Sequence, residues 1–280
     1  MNSSHFLGVV CALGSAVVWG GGDFSGGLAS RRSPQAHVLV LSTLSGMIVL
    51  VLLALLRREP WPSAASILWA AAAGLAGIVG LALLYRGLAT GQAASVAPIA
   101  AVVSAGLPVV WSAISIGLPP AIRLVGLGLA LLGIGLVSAA GTKSSTDWNS
   151  IQLALGAGVG FGSFFILLGQ VEAGVLFTPL IVARSVAFVV SLGLLRQQHL
   201  PLPTLKHNAV ALGAGVLDAG GNMLFLLAKQ LTRLDVAAVL SSLYPATTVL
   251  LAWFILKERV SPIQWAGATV CLVAVGLIAL

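Results

Sequence analysis

Charge is what this chain lacks most. Asp, Glu, Lys and Arg make up 8% of its 280 residues, where an ordinary soluble domain carries about 25%. With 59% hydrophobic residues, one compact water-soluble globule cannot hide them all, and a bilayer can. Cysteine is nearly absent. Cys11 and Cys271 each fall in an apolar run with no CxxC pair, which excludes a disulfide framework and a zinc site; they read as small buried hydrophobes. No P-loop is present, so ATP is not expected to drive the chain directly. His5, His37, His199 and His207 lie at or outside the ends of apolar segments, leaving no HExxH and no Ser-His pair at membrane depth. No cofactor and no metal are expected. The net charge of +7 is scattered over short loops and forms no basic run, so nucleic acid is not an expected partner. Met1 to His5 hold no Lys or Arg, and the first apolar segment reads as a retained helix rather than a signal peptide.

What is abundant is long apolar sequence. A spanning helix needs ~20 predominantly apolar residues. Segments of that kind run over 6–28, 36–56, 66–86, 93–117, 122–140, 151–169, 175–195, 209–228, 236–256 and 263–280. The expected fold is therefore an all-α integral membrane protein of ten transmembrane helices. β-barrel strands would show ~10-residue alternating segments instead. The longest polar linker near the middle divides the spans five and five. The expected organisation is a first repeat at 1–141, a linker at 142–149 and a second repeat at 150–280. The halves resemble each other: Leu13-Gly14 followed by Trp19-Gly20 matches Leu155-Gly156 followed by Phe161-Gly162, and Gly126 and Gly135 recur as Gly267 and Gly276. Ser95-Val96-Ala97 matches Asp235-Val236-Ala237. Because five is odd, the second half enters the membrane upside down, which makes an inverted repeat. Loop charges leave the orientation open. With the N-terminus inside, five basic residues fall in inner loops and eight in outer ones, opposite to the positive-inside rule.

The run Ser242-Leu243-Tyr244-Pro245-Ala246-Thr247-Thr248-Val249-Leu250, then Leu256-Lys257-Glu258-Arg259, then Gln264, Gly267 and Gly276, resembles the C-terminal signature of EamA-type transporters in the drug/metabolite transporter superfamily. Trp19-Gly20-Gly21-Gly22-Asp23-Phe24 and Ala94-Ser95-Val96-Ala97-Pro98 resemble matching stretches of the first repeat. The resemblance implies cytoplasmic termini, a central cavity lined by spans 1–4 and 6–9, and spans 5 and 10 as outer buttresses. It also implies export of amino acids, other metabolites or drugs. The first half departs from the pattern, with Leu118-Pro119 where the second has Glu258-Arg259.

Ionisable groups within a span are costly and normally face protein or water. Arg184 is the tenth residue of its span and Asp218 the tenth of the next, so both lie near mid-membrane. They are expected to form an ion pair beside a transport pathway, with Asp218 taking a coupling proton or a cationic group and Asn222 adding a hydrogen bond from the same helical face. A static packing bridge is the competing reading. Asp23 follows Gly20, Gly21 and Gly22, a place where a transporter helix can break and bind ligand; a wetted helix end beside a small-residue packing face is the alternative. Trp19, Tyr85, Phe161 and Tyr244 could line a cavity for an apolar or aromatic substrate, against plain core packing. Pro98, Pro108 and Pro245 are expected to kink spans 4 and 9. Trp61, Trp69, Trp148, Trp253 and Trp265 read as interface anchors, Glu172 and Lys229 as span-end residues.

Together these features favour a multi-pass protein of the cell (inner or plasma) membrane, not an enzyme. It would be a secondary transporter or facilitator, exporting a small-molecule substrate by alternating access with possible use of protons. An intramembrane enzyme would need a nucleophile–base or metal constellation. A non-transporting scaffold would not need charges at mid-membrane. Nothing in the sequence speaks to oligomeric state.

Overall fold

Each long apolar run becomes a helix, because in lipid the backbone must satisfy its own hydrogen bonds. The computed structural model describes residues 3–89, 93–138, 148–205, 208–257 and 260–280, with backbone alone at 85, 87–89, 93–95 and 97–98. The helices are α1 (Ser3–Ser30), α2 (Gln35–Arg57), α3 (Ala64–Ala89), α4 (Ala93–Ser115), α5 (Ala121–Ser138), α6 (Trp148–Leu168), α7 (Phe177–Gln197), α8 (Ala209–Leu231), α9 (Leu234–Ser241), α10 (Tyr244–Leu256) and α11 (Pro262–Ala279). Among the described residues nine stretches, one of them running through α9 and α10, are long and apolar enough to cross a membrane, and Ile99–Ser115 of α4 is a shorter apolar helix. That makes ten spans. Trp148 and Asn149, read from sequence as linker, already belong to α6.

The ninth span differs from the continuous helix expected over 236–256. It breaks at Ser242 and Leu243, and Pro245 sits in the first turn of α10. The proline has no N–H to return to the Ser241 carbonyl four residues back, so the chain restarts there as a new helix. Pro108, by contrast, lies within an uninterrupted α4, and α1 runs unbroken through Gly20, Gly21 and Gly22. The Pro98 side chain lies outside the described residues.

The packing obeys a two-fold relation between the halves. α1 lies along α8, and their counterparts α6 and α3 pack likewise. α2 meets α8 as α7 meets α3, while α2 with α7 and α5 with α11 are self-paired across the axis. Backbone details repeat as well. Arg58 (φ 51°) and His199 (φ 52°), 141 positions apart, follow α2 and α7 in the left-handed region; Gly117 (φ 89°) and Lys257 (φ 58°) do the same after α4 and α10. Close approach is shared too. Gly74 abuts the Ala183 backbone with no room for a Cβ, and its counterpart Gly215 abuts Ser42, the counterpart of Ala183. Lipid supplies no hydrophobic drive between helices, so such small-residue contacts carry the association.

Successive spans alternate in direction, so both termini and the α2–α3, α4–α5, α6–α7 and α8–α9 loops lie at one end. His5 shows this directly: its ring contacts Thr232 Oγ1 at 2.8 Å and the Ile278 carbonyl at 3.3 Å. This is called the termini end below.

Candidate functional site

A cavity of about 280 Å³ lies where the repeats meet. Its wall comes from α1–α4, α6–α8 and α10; none of the lining residues belongs to α5 or α11. Most of the wall is apolar, with three Asp or Arg side chains in it among the described residues: Asp23, Arg184 and Asp218.

Arg184 Nη2 donates to Asp218 Oδ2. The Arg184 side chain is 10% exposed and that of Asp218 43%, so the carboxylate faces the cavity and the guanidinium is packed behind it. Asn222, one turn on from Asp218, donates from Nδ2 to the Asp218 carbonyl at 2.7 Å and reaches Oδ2 at 3.4 Å. The expected trio therefore meets, though not by the expected route. The spans that carry Arg184 and Asp218 are consecutive, yet α7 and α8 barely touch, and α2 packs along both. The arginine passes Gly46 of α2 on its way to Asp218.

Asp23 stands one turn beyond Trp19 on the same side of α1, and both reach the cavity. The glycines around Asp23 hold the helix close to its neighbours. A Cβ on Gly20 would come within 2.8 Å of the Tyr244 carbonyl at the ninth-span break, and one on Gly22 within 3.4 Å of the Asp218 amide. Asp23 is exposed, and no hydrogen bond or ion pair to its carboxylate is found among the described residues. Trp19 lies 5.6 Å from Phe165, 6.0 Å from Phe225 and 6.5 Å from the edge-on ring of Tyr244, centroid to centroid. Phe161 and Phe164 line the cavity from α6. The side chain of Tyr85 lies outside the described residues.

The cavity is asymmetric along the membrane normal. It reaches Gly26 and Gly27 in the last two turns of α1, Leu84 near the end of α3 and Val38 in the first turn of α2, all at the end away from the termini. The repeat counterparts of Gly26 and Leu84 are Leu168 and Phe225, both 0% exposed. The counterpart of Asp23 is Phe165, which packs 4.8 Å from Phe225. One end is thus plugged by aromatic and aliphatic side chains where the other holds glycines and a carboxylate.

Several residues at the plugged end carry contacts that sequence reasoning missed. Glu59 Oε1 accepts from the amides of Leu176, Phe177 and Thr178 (3.0, 2.7 and 2.8 Å) and from the Thr178 hydroxyl at 2.9 Å, capping α7. Glu172, read as a span-end residue, accepts from the Ser63 amide at 2.7 Å at the start of α3. The α2–α3 and α6–α7 loops therefore cap each other's following helices. Arg233 forks onto the fully buried Asp235, Nε to Oδ1 at 3.1 Å and Nη2 to Oδ2 at 2.8 Å, and donates to the Gly117 carbonyl at 2.7 Å. The hydrogen bond that Arg233 donates to Asp235 raises the guanidinium's pKa above its already high ordinary value. Glu258 and Arg259 lie outside the described residues.

A family profile matches the chain twice, over residues 6–139 and 148–280, and describes an EamA-like transporter family. The chain belongs to that family. Its EamA architecture is two repeats of five spans, and membership makes it a multi-pass membrane protein of a transporter-like class rather than an enzyme class. A crystal structure of a protein 16% identical in sequence superposes with a TM-score of 0.74, covering 96% of this chain and 95% of the other, which shows the fold alone. No curated protein matches.

Proposed function

We propose that this EamA protein is a secondary transporter that binds a small molecule in the central cavity and releases it by alternating access. The observation that carries this reading is the cavity itself. It sits at the interface of two inverted repeats, with an ion pair in its wall and with one end filled while the other is not. Inverted repeats can exchange conformations, so that the filled end opens as the open end fills. The broken ninth span, where α1 crosses closely at Gly20, supplies a place for such rocking. Export is the direction that the family resemblance implies, and Asp218 and Asp23 are the carboxylates placed to carry a coupling proton.

Counterflow in liposomes tests the reading. Purified protein is reconstituted with labelled amino acids, nucleosides and amines, with and without a proton gradient. Exchange above that of empty liposomes, lost in Asp218→Asn, supports it. Folded Arg184→Gln and Asp218→Asn proteins that exchange like the parent would remove the ion pair from the pathway. A rate indifferent to the proton gradient would remove the coupling.

A further inference from the structure

The charge balance of the cavity points to a substrate class, if the cavity is the transport site. Among the described residues three Asp or Arg side chains line it, and two of them, Arg184 and Asp218, neutralise each other. The third, Asp23, has no hydrogen-bonding or ionic partner among the described residues. Among the described residues the wall therefore presents one uncompensated carboxylate in mostly apolar surroundings. An unpaired carboxylate there is costly unless water or a cation answers it.

We propose that Asp23 and the aromatic wall around it form a recognition site for a small organic cation, a protonated or quaternary amine on an apolar or aromatic body. Trp19, one turn earlier on α1, presents its indole to the same cavity, with the Tyr244 ring edge-on to it. Phe161 and Phe164 supply further rings from α6. The negative faces of such rings attract ammonium groups, most strongly where water is excluded. The cavity volume of about 280 Å³ falls just below the ~300–1,000 Å³ range of small-molecule pockets, which limits the body to a compact one.

Other charge types fit poorly. An anion would meet Asp23, and the one guanidinium found in the wall among the described residues is already engaged by Asp218. A neutral molecule would displace water from Asp23 and return no charge. A zwitterion would satisfy both its ends only by drawing Arg184 away from Asp218. Repeat symmetry sharpens the point: the counterpart of Asp23 is Phe165, so the acid stands only on the side of the cavity that reaches away from the termini.

Four probes sharing one ring decide the matter: phenethylammonium, 2-phenylethanol, 3-phenylpropionate and phenylalanine. Binding to the full-length protein in detergent is measured by calorimetry. Phenethylammonium is expected to bind at least about tenfold tighter than the other three. Asp23→Asn should abolish that preference and Asp23→Glu should keep it. Equal or tighter binding of the alcohol, the carboxylate or the zwitterion overturns the proposal, as does a folded Asp23→Asn protein that keeps the preference. If Asp23→Asn does not fold, the four-probe series on the parent protein decides alone. Liposome exchange separates this inference from the transport reading. Asp23-dependent binding without exchange of any solute sinks transport and leaves the site. Exchange of other solutes by a protein that does not prefer phenethylammonium sinks the site and leaves transport.

Discussion

Arg184 reaches Asp218 across the face of Gly46: a Cβ on that glycine would stand 3.4 Å from the guanidinium carbon and 2.7 Å from the Gly215 carbonyl. The gap exists because α2 runs between α7 and α8 and must approach α8 closely at that level. Gly46→Ala is therefore expected to push α2 from α8, costing about 1–3 kcal/mol of stability as overpacked cores do, and to loosen the ion pair. Thermal unfolding in detergent checks the first effect and liposome exchange the second. An alanine variant that melts with the parent and exchanges at the parent rate would show that the contact is slack.

The two partners of the ion pair differ in exposure, so their losses should differ. Asp218→Asn strands a guanidinium whose side chain is 10% exposed, and Arg184→Gln strands a carboxylate 43% open to the cavity. Stranding a buried charge costs about 3–5 kcal/mol; a group that water can reach loses closer to about 1 kcal/mol. Asp218→Asn should be the less stable single variant, and the double variant should recover much of its loss. Melting temperatures of the three proteins give the answer. Equal losses in the singles would mean that water reaches both groups alike.

Much of this architecture can be read along the chain, because a span announces itself by length and apolarity and an inverted repeat by an odd count of spans. The break in the ninth span is signalled by Pro245, although which of Pro108 and Pro245 breaks its helix depends on packing that the sequence does not state. The meeting of Arg184 with Asp218 follows from equal depth alone. The helix between them does not, since nothing local to α7 or α8 says that α2 intervenes. Glu59 is illegible for the same reason. Its acceptor role spans 117 positions to Leu176, and a single acid in Arg57-Arg58-Glu59-Pro60 looks like any loop charge. The cavity asymmetry becomes visible only once Asp23 is aligned with Phe165 and Gly26 with Leu168.

Glu59 offers a test of what holds the termini end together. One of its oxygens accepts from three successive amides at the start of α7, those of Leu176, Phe177 and Thr178, and from the Thr178 hydroxyl, which combines a cap with a favourable charge at a helix N-terminus. Glu59→Ala is expected to cost about 1–2 kcal/mol, the upper range for a lost cap. Glu59→Gln keeps an acceptor and loses only the charge, so about 0.5–1 kcal/mol is expected. Unfolding of both variants in detergent checks the order. If Gln and Ala cost the same, the charge alone matters.

The asymmetry of the cavity predicts which side chains water can reach. Gly26 lines the cavity, with nothing closer than 3.9 Å to a Cβ placed on it, whereas its repeat counterpart Leu168 is 0% exposed among packed side chains. The native thiols, Cys11 and Cys271, are both buried and give little background. Gly26→Cys should therefore react with a water-soluble, membrane-impermeant thiol reagent, and Leu168→Cys should react at least about tenfold more slowly, because closed interiors admit little water. A ligand that fills the cavity should protect Gly26→Cys. If rocking of the repeats opens the plugged end during turnover, labelling of Leu168→Cys should rise when exchange is under way. Equal labelling of both cysteines in the resting protein would mean that Phe165, Phe225 and Leu168 do not form a seal, and an open pore would then describe the cavity better than a site with one end closed.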